Sequence, residues 1–149
     1  MQARFARLFL IAAVAALPLT QSLQASAASP DVRAEEKENS ELGKLMGQIN
    51  KHLKSLKKNI EDAAQKDSNV KDFNGIAELA DKCKAHAPET AKTDEEKKTY
   101  ADMLGQMAAT AKDGAKAAGA GDVEGAKKAY EALKKGKADG HKKFIPADK

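Results

Sequence analysis

Apolar residues fall along this chain in two different ways. From Leu8 to Leu19 they form one nearly unbroken run, whereas beyond residue 40 they recur every three or four positions. The second pattern puts one stripe on a helix and turns it toward a core. Leu42, Leu45, Met46, Ile49, Leu53, Leu56 and Ile60 make such a stripe, with Lys44, Lys51, Lys54, Lys57 and Lys58 between them on the wet side. The helix starts near Asn39 or Ser40, and the cluster Asp67-Ser68-Asn69 is read as its break and as the N-cap of the next helix. That second helix runs from about Val70 to His86 with Phe73, Ile76, Ala77, Ala80 and Cys83 inward, and Pro88 stops it. A third opens at Thr93-Asp94-Glu95-Glu96, a capping box, and carries Tyr100, Met103, Leu104, Met107 and Ala111 before fading into the Ala/Gly-rich stretch 114–121. A fourth starts at the Asp122 cap and carries Val123, Ala126, Tyr130 and Leu133, then His141, Phe144 and Ile145.

No stretch alternates with period two, and helix formers (Ala, Lys, Glu, Leu, Met) dominate, so the fold class is all-α. Four amphipathic helices joined mostly by short turns predict an antiparallel, up-down-up-down four-helix bundle over residues 39–149. Residues 28–38 lack apolar periodicity and read as a flexible leader. Ahead of them, Arg4 and Arg7 precede the apolar run, and Ala25-Ser26-Ala27 follows it as a small-residue cleavage site. This is the order of a secretory signal peptide, residues 1–27, and the run is too short to span a bilayer. The expectation is therefore export, without membrane insertion after cleavage.

Charge and cysteine content narrow the picture. Beyond the signal lie 24 of the 26 basic residues and all 22 acidic ones, a balance of +2, interspersed along the helices. That suits a solvated surface and not a nucleic-acid footprint. Cys83 is the sole cysteine, so no internal disulfide forms. Enzyme signatures are missing: no glycine-rich phosphate loop, no nucleophile elbow, no carboxylate pair within an apolar stripe. His52 lies off the stripe of helix one and is expected in solvent. Met103 and Met107 read as core filling, and Cys83 and His86, spaced i,i+3, supply two metal donors without a third.

Met46 and His141 stand apart. In an up-down-up-down bundle the start of helix one and the end of helix four share one end of the molecule. At 1.5 Å per residue, the depths of Met46 and His141 agree within about one turn. A thioether facing an imidazole is an axial pair for haem iron. A core methionine beside a surface histidine satisfies the same spacing.

The residues that frame this pair resemble the cytochrome b562 family. Leu42 to Leu56 resembles its L-x-x-x-M-x-x-(L/I)-N-x-x-L opening, with Met46 at the ligand methionine and Asn50 at the asparagine. Gly121 to Ile145 resembles its last helix without a gap, with Gly121, Val123, Ala126, Leu133 and Phe144 at matching places and His141 at the ligand histidine. The middle helices match more loosely: Pro88 falls at the proline beside the haem edge, and Tyr100 and Leu104 fall where large pocket residues are expected. Two positions depart. Gly140 replaces an aromatic that closes the pocket, and Lys137 replaces an arginine, keeping positive charge for a haem propionate but losing the bidentate fork. Residues 137–141 read KADGH, which lacks the cysteines of covalent attachment.

The resemblance implies one non-covalent haem b per chain, held by Met46 and His141, with Asn50, Lys137, Tyr100, Leu104 and Pro88 around it. It implies a periplasmic electron carrier, not an enzyme, serving unidentified periplasmic redox proteins. The alternatives are a haem-free helical binding or adaptor protein and a metal-handling bundle built on Cys83 and His86.

Overall fold

A computed structural model describes residues 40–145. The expected signal peptide (1–27), the leader (28–38) and the extreme C-terminus lie outside the described residues. Four helices follow in order: α1 Glu41–Asn59, α2 Lys66–Cys83, α3 Asp94–Ala120 and α4 Val123–Phe144, with one 3-10 turn, Ala63–Gln65, between the first two. The described residues contain no strand, and the all-α four-helix bundle is the architecture found. No described helix is long and apolar enough to cross a membrane.

The helix ends follow local chemistry. Ser40 Oγ accepts from Gly43 N (3.0 Å) at the start of α1. Thr93 and Glu96 form the expected capping box on α3, with Glu96 N donating to Thr93 Oγ1 (3.1 Å) and Thr93 N to Glu96 Oε2 (2.9 Å). Asp122 Oδ1 accepts from Gly125 N (2.8 Å) and starts α4. Gly121 ends α3 in the left-handed region at φ 77°, a conformation that costs glycine little, so a two-residue turn reverses the chain.

Two boundaries differ from the pattern-based expectation. The break after α1 falls at residues 60–62, where Asp62 Oδ1 accepts from Ala64 N (2.9 Å), and Asp67-Ser68-Asn69 lies inside α2. Asp67 is exposed, whereas Asn69 is buried and donates through Nδ2 to the Asn59 carbonyl at 3.1 Å. At its far end α2 stops at Cys83, and residues 84–86 continue as i→i−3 bonds ahead of Pro88.

Leu45, Ile49, Leu53 and Leu56 give α1 its buried stripe, facing Phe73, Ile76, Leu79 and Ala80 from α2. The stripe of α3 does not fade. It continues through Ala111, Gly114, Ala115 and Ala118, all buried, and α3 runs unbroken to Ala120. These residues are too small to register as an apolar pattern, and their smallness brings α2 and α3 into the closest pairing of the bundle. Phe73, fully buried, lies flat against Gly114, where a Cβ would fall 2.7 Å from Phe73 Cδ1. Of the four neighbouring helix pairs, α1 and α4 approach each other least, leaving a seam along one side.

Glycine therefore plays opposite roles at two helical sites. Gly114→Ala forces Phe73 out of a filled core and is expected to destabilise by about 1–3 kcal/mol, outweighing alanine's helix preference. Gly136→Ala, with nothing within 4 Å of the new methyl, is expected to stabilise by about 1 kcal/mol. Urea unfolding of both variants checks the pair; the same sign for both would contradict this packing.

Candidate functional site

The seam between α1 and α4 opens into a groove of about 630 Å³ lined by Asn50, Leu53, Tyr130, Lys137, His141 and three further lysines. One direct bond spans it: Lys137 Nζ donates to Asn50 Oδ1 at 2.6 Å, joining residues 87 positions apart. This bond fixes the register. Met46 precedes Asn50 by four residues and His141 follows Lys137 by four, so in antiparallel helices both lie one turn beyond the bond in the same direction. Met46 is half-buried against the core, and His141 sits exposed on the groove's lip. Desolvation against the groove wall, then the Lys137 charge, hold the His141 imidazole below its ordinary pKa and favour its neutral form.

The other expected residues gather at the same end. Tyr100 and Leu104 are buried near the start of α3. Tyr100 meets Phe144 of α4 edge to face, with ring centroids 5.4 Å apart. Its hydroxyl is buried with no partner among the described residues, and burial, then the Cys83 thiol, push its pKa up. Pro88 lies in the α2–α3 connection, half-buried, its carbonyl accepting from Ala91 N at 2.9 Å. Thr90 Oγ1 ties that connection to the Phe144 carbonyl at 2.6 Å, fastening it to the end of α4. Asn50, Lys137 and His141 thus share the groove, while Tyr100 and Leu104 belong to the core behind it and Pro88 to the connection over that end.

One assignment made from the sequence changes, and another gains a contact. His52 is not a free surface histidine: its Nδ1 lies 2.8 Å from Asp72 Oδ1, and its ring rests where a Cβ on Gly75 would stand, 2.7 Å from Nε2. It joins α1 to α2, away from the seam. Met103 packs against the core as expected, and its Cε also lies 3.7 Å from where a Gly140 Cβ would stand. The space left by the missing aromatic at Gly140 therefore has a methionine methyl beside it. Neither contact is visible in helical periodicity, because each joins residues on different helices.

Cys83 and His86 do not form a centre. Burial pushes the Cys83 thiol up to about 11, His86 is exposed, and no three His, Cys, Asp or Glu side chains are placed to hold a metal ion among the described residues.

The Asn50–Lys137 bond is half-buried and charge-assisted, so it is expected to contribute about 1 kcal/mol to the stability of the bundle. A double-mutant cycle of Asn50→Ala and Lys137→Ala in urea reads that coupling. A coupling near zero would mean that the bond does not hold the register.

No curated protein and no solved structure matches the chain significantly. The family model described as cytochrome b562 matches residues 41–144, from the first residue of α1 to the last of α4. That match takes in both walls of the seam and every helix of the bundle, and it is a family of haem-binding electron carriers. The chain belongs to the cytochrome b562 family.

Proposed function

We propose that this protein is a periplasmic electron carrier that holds one non-covalent b-type haem at the α1–α4 seam, with Met46 and His141 as its axial ligands. The observation that carries this reading is the Asn50–Lys137 bond, which sets Met46 and His141 at one level on opposite walls of the seam. The residues present suit the group. The seam is the least closely packed side of the bundle, the lowered His141 pKa favours the neutral imidazole, and the buried Tyr100 hydroxyl stands unpartnered at the same end.

Bound there, haem iron supplies a one-electron couple. Met46 and His141 would hold the iron through a thioether and an imidazole, and with both donors in place the group would supply one-electron transfer in preference to oxygen or peroxide chemistry. Met46, a soft thioether donor, favours the reduced state more than a second imidazole would. Lys137 brings positive charge toward the porphyrin carboxylates, and Asn50 orients its ammonium. Tyr100, Leu104 and Pro88 supply apolar surface that keeps water from that end. The haem-free alternative leans on Gly140, but Met103 beside that glycine supplies apolar surface where the aromatic is lost.

Two variants separate the ligands. Met46→Ala leaves the imidazole in place, so haem is expected to stay bound with an open sixth position and a high-spin spectrum. His141→Ala removes the stronger donor and is expected to weaken haem binding more. His52→Ala and His86→Ala serve as controls that leave the low-spin spectrum intact. Loss of that spectrum in a control, with Met46→Ala and His141→Ala unaffected, would place the cofactor elsewhere.

Export belongs to the same reading. Ala25 and Ala27 place small side chains at the two positions a signal peptidase reads, so the periplasmic protein is expected to begin at Ala28. Intact mass measures this directly, and a membrane-retained chain still carrying residues 1–27 would refute it.

A further inference from the structure

The charge that looks interspersed along the sequence is sorted by the fold. α1 carries five lysines and one carboxylate, and α4 seven lysines and three carboxylates, a formal +4 on each. α2 has three lysines against four carboxylates and α3 four against five, a formal −1 on each. Because α1 and α4 flank the seam, the positive charge collects around the groove. Lys54 and Lys57 line it from α1, Lys134 and Lys137 from α4, and no carboxylate lines it. Of these four only Lys134 has an ion-pair partner among the described residues, Glu131 at 3.0 Å. The opposite side neutralises itself: Lys84 and Lys112 share Asp81, Lys98 meets Asp102, and Lys116 meets Asp113.

We propose that Lys54, Lys57 and Lys134 form the docking rim for an acidic protein partner, which exchanges one electron with the carrier at this face. The exchange oxidises one protein as it reduces the other and makes or breaks no bond. The partner's role rests on the electron-carrier reading, whereas its place rests on the charge distribution alone. Lysine suits such an encounter. Its compact, well-hydrated ammonium steers an oppositely charged surface and releases it quickly, without the forked, desolvated pairs that arginine makes. Arginine is absent from residues 40–145 altogether. A membrane-binding face would add exposed apolar side chains to its basic ones. Here Ile145, at the end of α4, is the sole large exposed hydrophobic among the described residues.

The test titrates the ¹⁵N-labelled periplasmic protein at low salt with poly-L-glutamate, following backbone amide shifts. The largest shifts are expected beside Lys54, Lys57 and Lys134, and are expected to vanish near 0.3 M salt, where the Debye length is roughly 6 Å. Lys54→Glu with Lys57→Glu is expected to weaken binding about fivefold or more, whereas Lys66→Glu with Lys116→Glu, an equal charge change on α2 and α3, changes it about twofold at most. Equal weakening by both pairs, or shifts centred on α2 and α3, would overturn the proposal. So would tighter binding, through the same lysines, to phosphatidylglycerol vesicles or duplex DNA than to polyglutamate.

A second arm follows oxidation of the haem-loaded, reduced protein by hexacyanoferrate(III), a small anion. Its rate is expected to fall with added salt, and about fivefold in the α1 double variant. A rate indifferent to both would remove electron exchange from this face. A protein that takes up no haem would overturn the electron-carrier reading and the partner's role with it, and the polyglutamate map would still decide where an acidic surface docks.

Discussion

Phe73 lying flat against Gly114 is the contact on which the rest of the bundle turns. It lets α2 and α3 close on each other along their length, with alanines continuing the interface on either side. An aromatic ring is accommodated by removing a side chain from the facing helix, so the interior there fills without large residues on the second half of α3. The bulk is then supplied from α1 and α2, and α1 is drawn toward α2 rather than toward α4. The polar pairs reinforce this choice. His52 with Asp72, and Asn69 with the Asn59 carbonyl, pin α1 to α2 at two levels. The opposite edge of α1 is left comparatively free.

A bundle closed on one side and ajar on the other has an address for a flat, apolar guest. Within the α1–α4 groove Lys137 donates to Asn50, and the depths of Met46 and His141 follow from that bond. At the same end, Thr90 holds the α2–α3 connection down on the last turn of α4, and Tyr100 braces Phe144. Fastening contacts are thus concentrated behind and around the proposed ligands, while the groove wall beside them carries exposed lysines. This division suits an electron carrier, which needs fixed ligands and a surface that meets its partner briefly.

Much of this was legible along the chain where neighbours in space are neighbours in sequence. The stripe of α1, the capping box at Thr93, the Gly121-Asp122 turn and the shared end of Met46 and His141 all follow from helical spacing and local hydrogen bonding. The misplaced features share one cause. Asp67-Ser68-Asn69 resembles a breaker because polar residues usually face water, yet Asn69 faces another helix. His52 lies off the apolar stripe, yet a glycine on α2 makes room for its ring. Alanine and glycine carry too little apolar weight to reveal the buried face of α3. Met103 beside Gly140, and the gathering of lysine on one side, depend on which helices are neighbours, a property of the fold rather than of any segment.

The central claim is that Met46 supplies the thioether to the iron. Met103 is the rival that the structure itself raises, since it lies beside Gly140 and hence beside the residue preceding His141. The deciding measurement is an NMR spectrum of the mature protein carrying ¹³C-methyl methionine, loaded with haem and reduced. A methyl group held over the face of a diamagnetic porphyrin is shifted far upfield by the ring current, whereas one merely packed nearby is not. Mature protein starting at Ala28 holds three methionines, Met46, Met103 and Met107. One far-upfield methyl that disappears in Met46→Leu is the predicted result; an upfield methyl that survives this change and disappears in Met103→Leu would contradict the account.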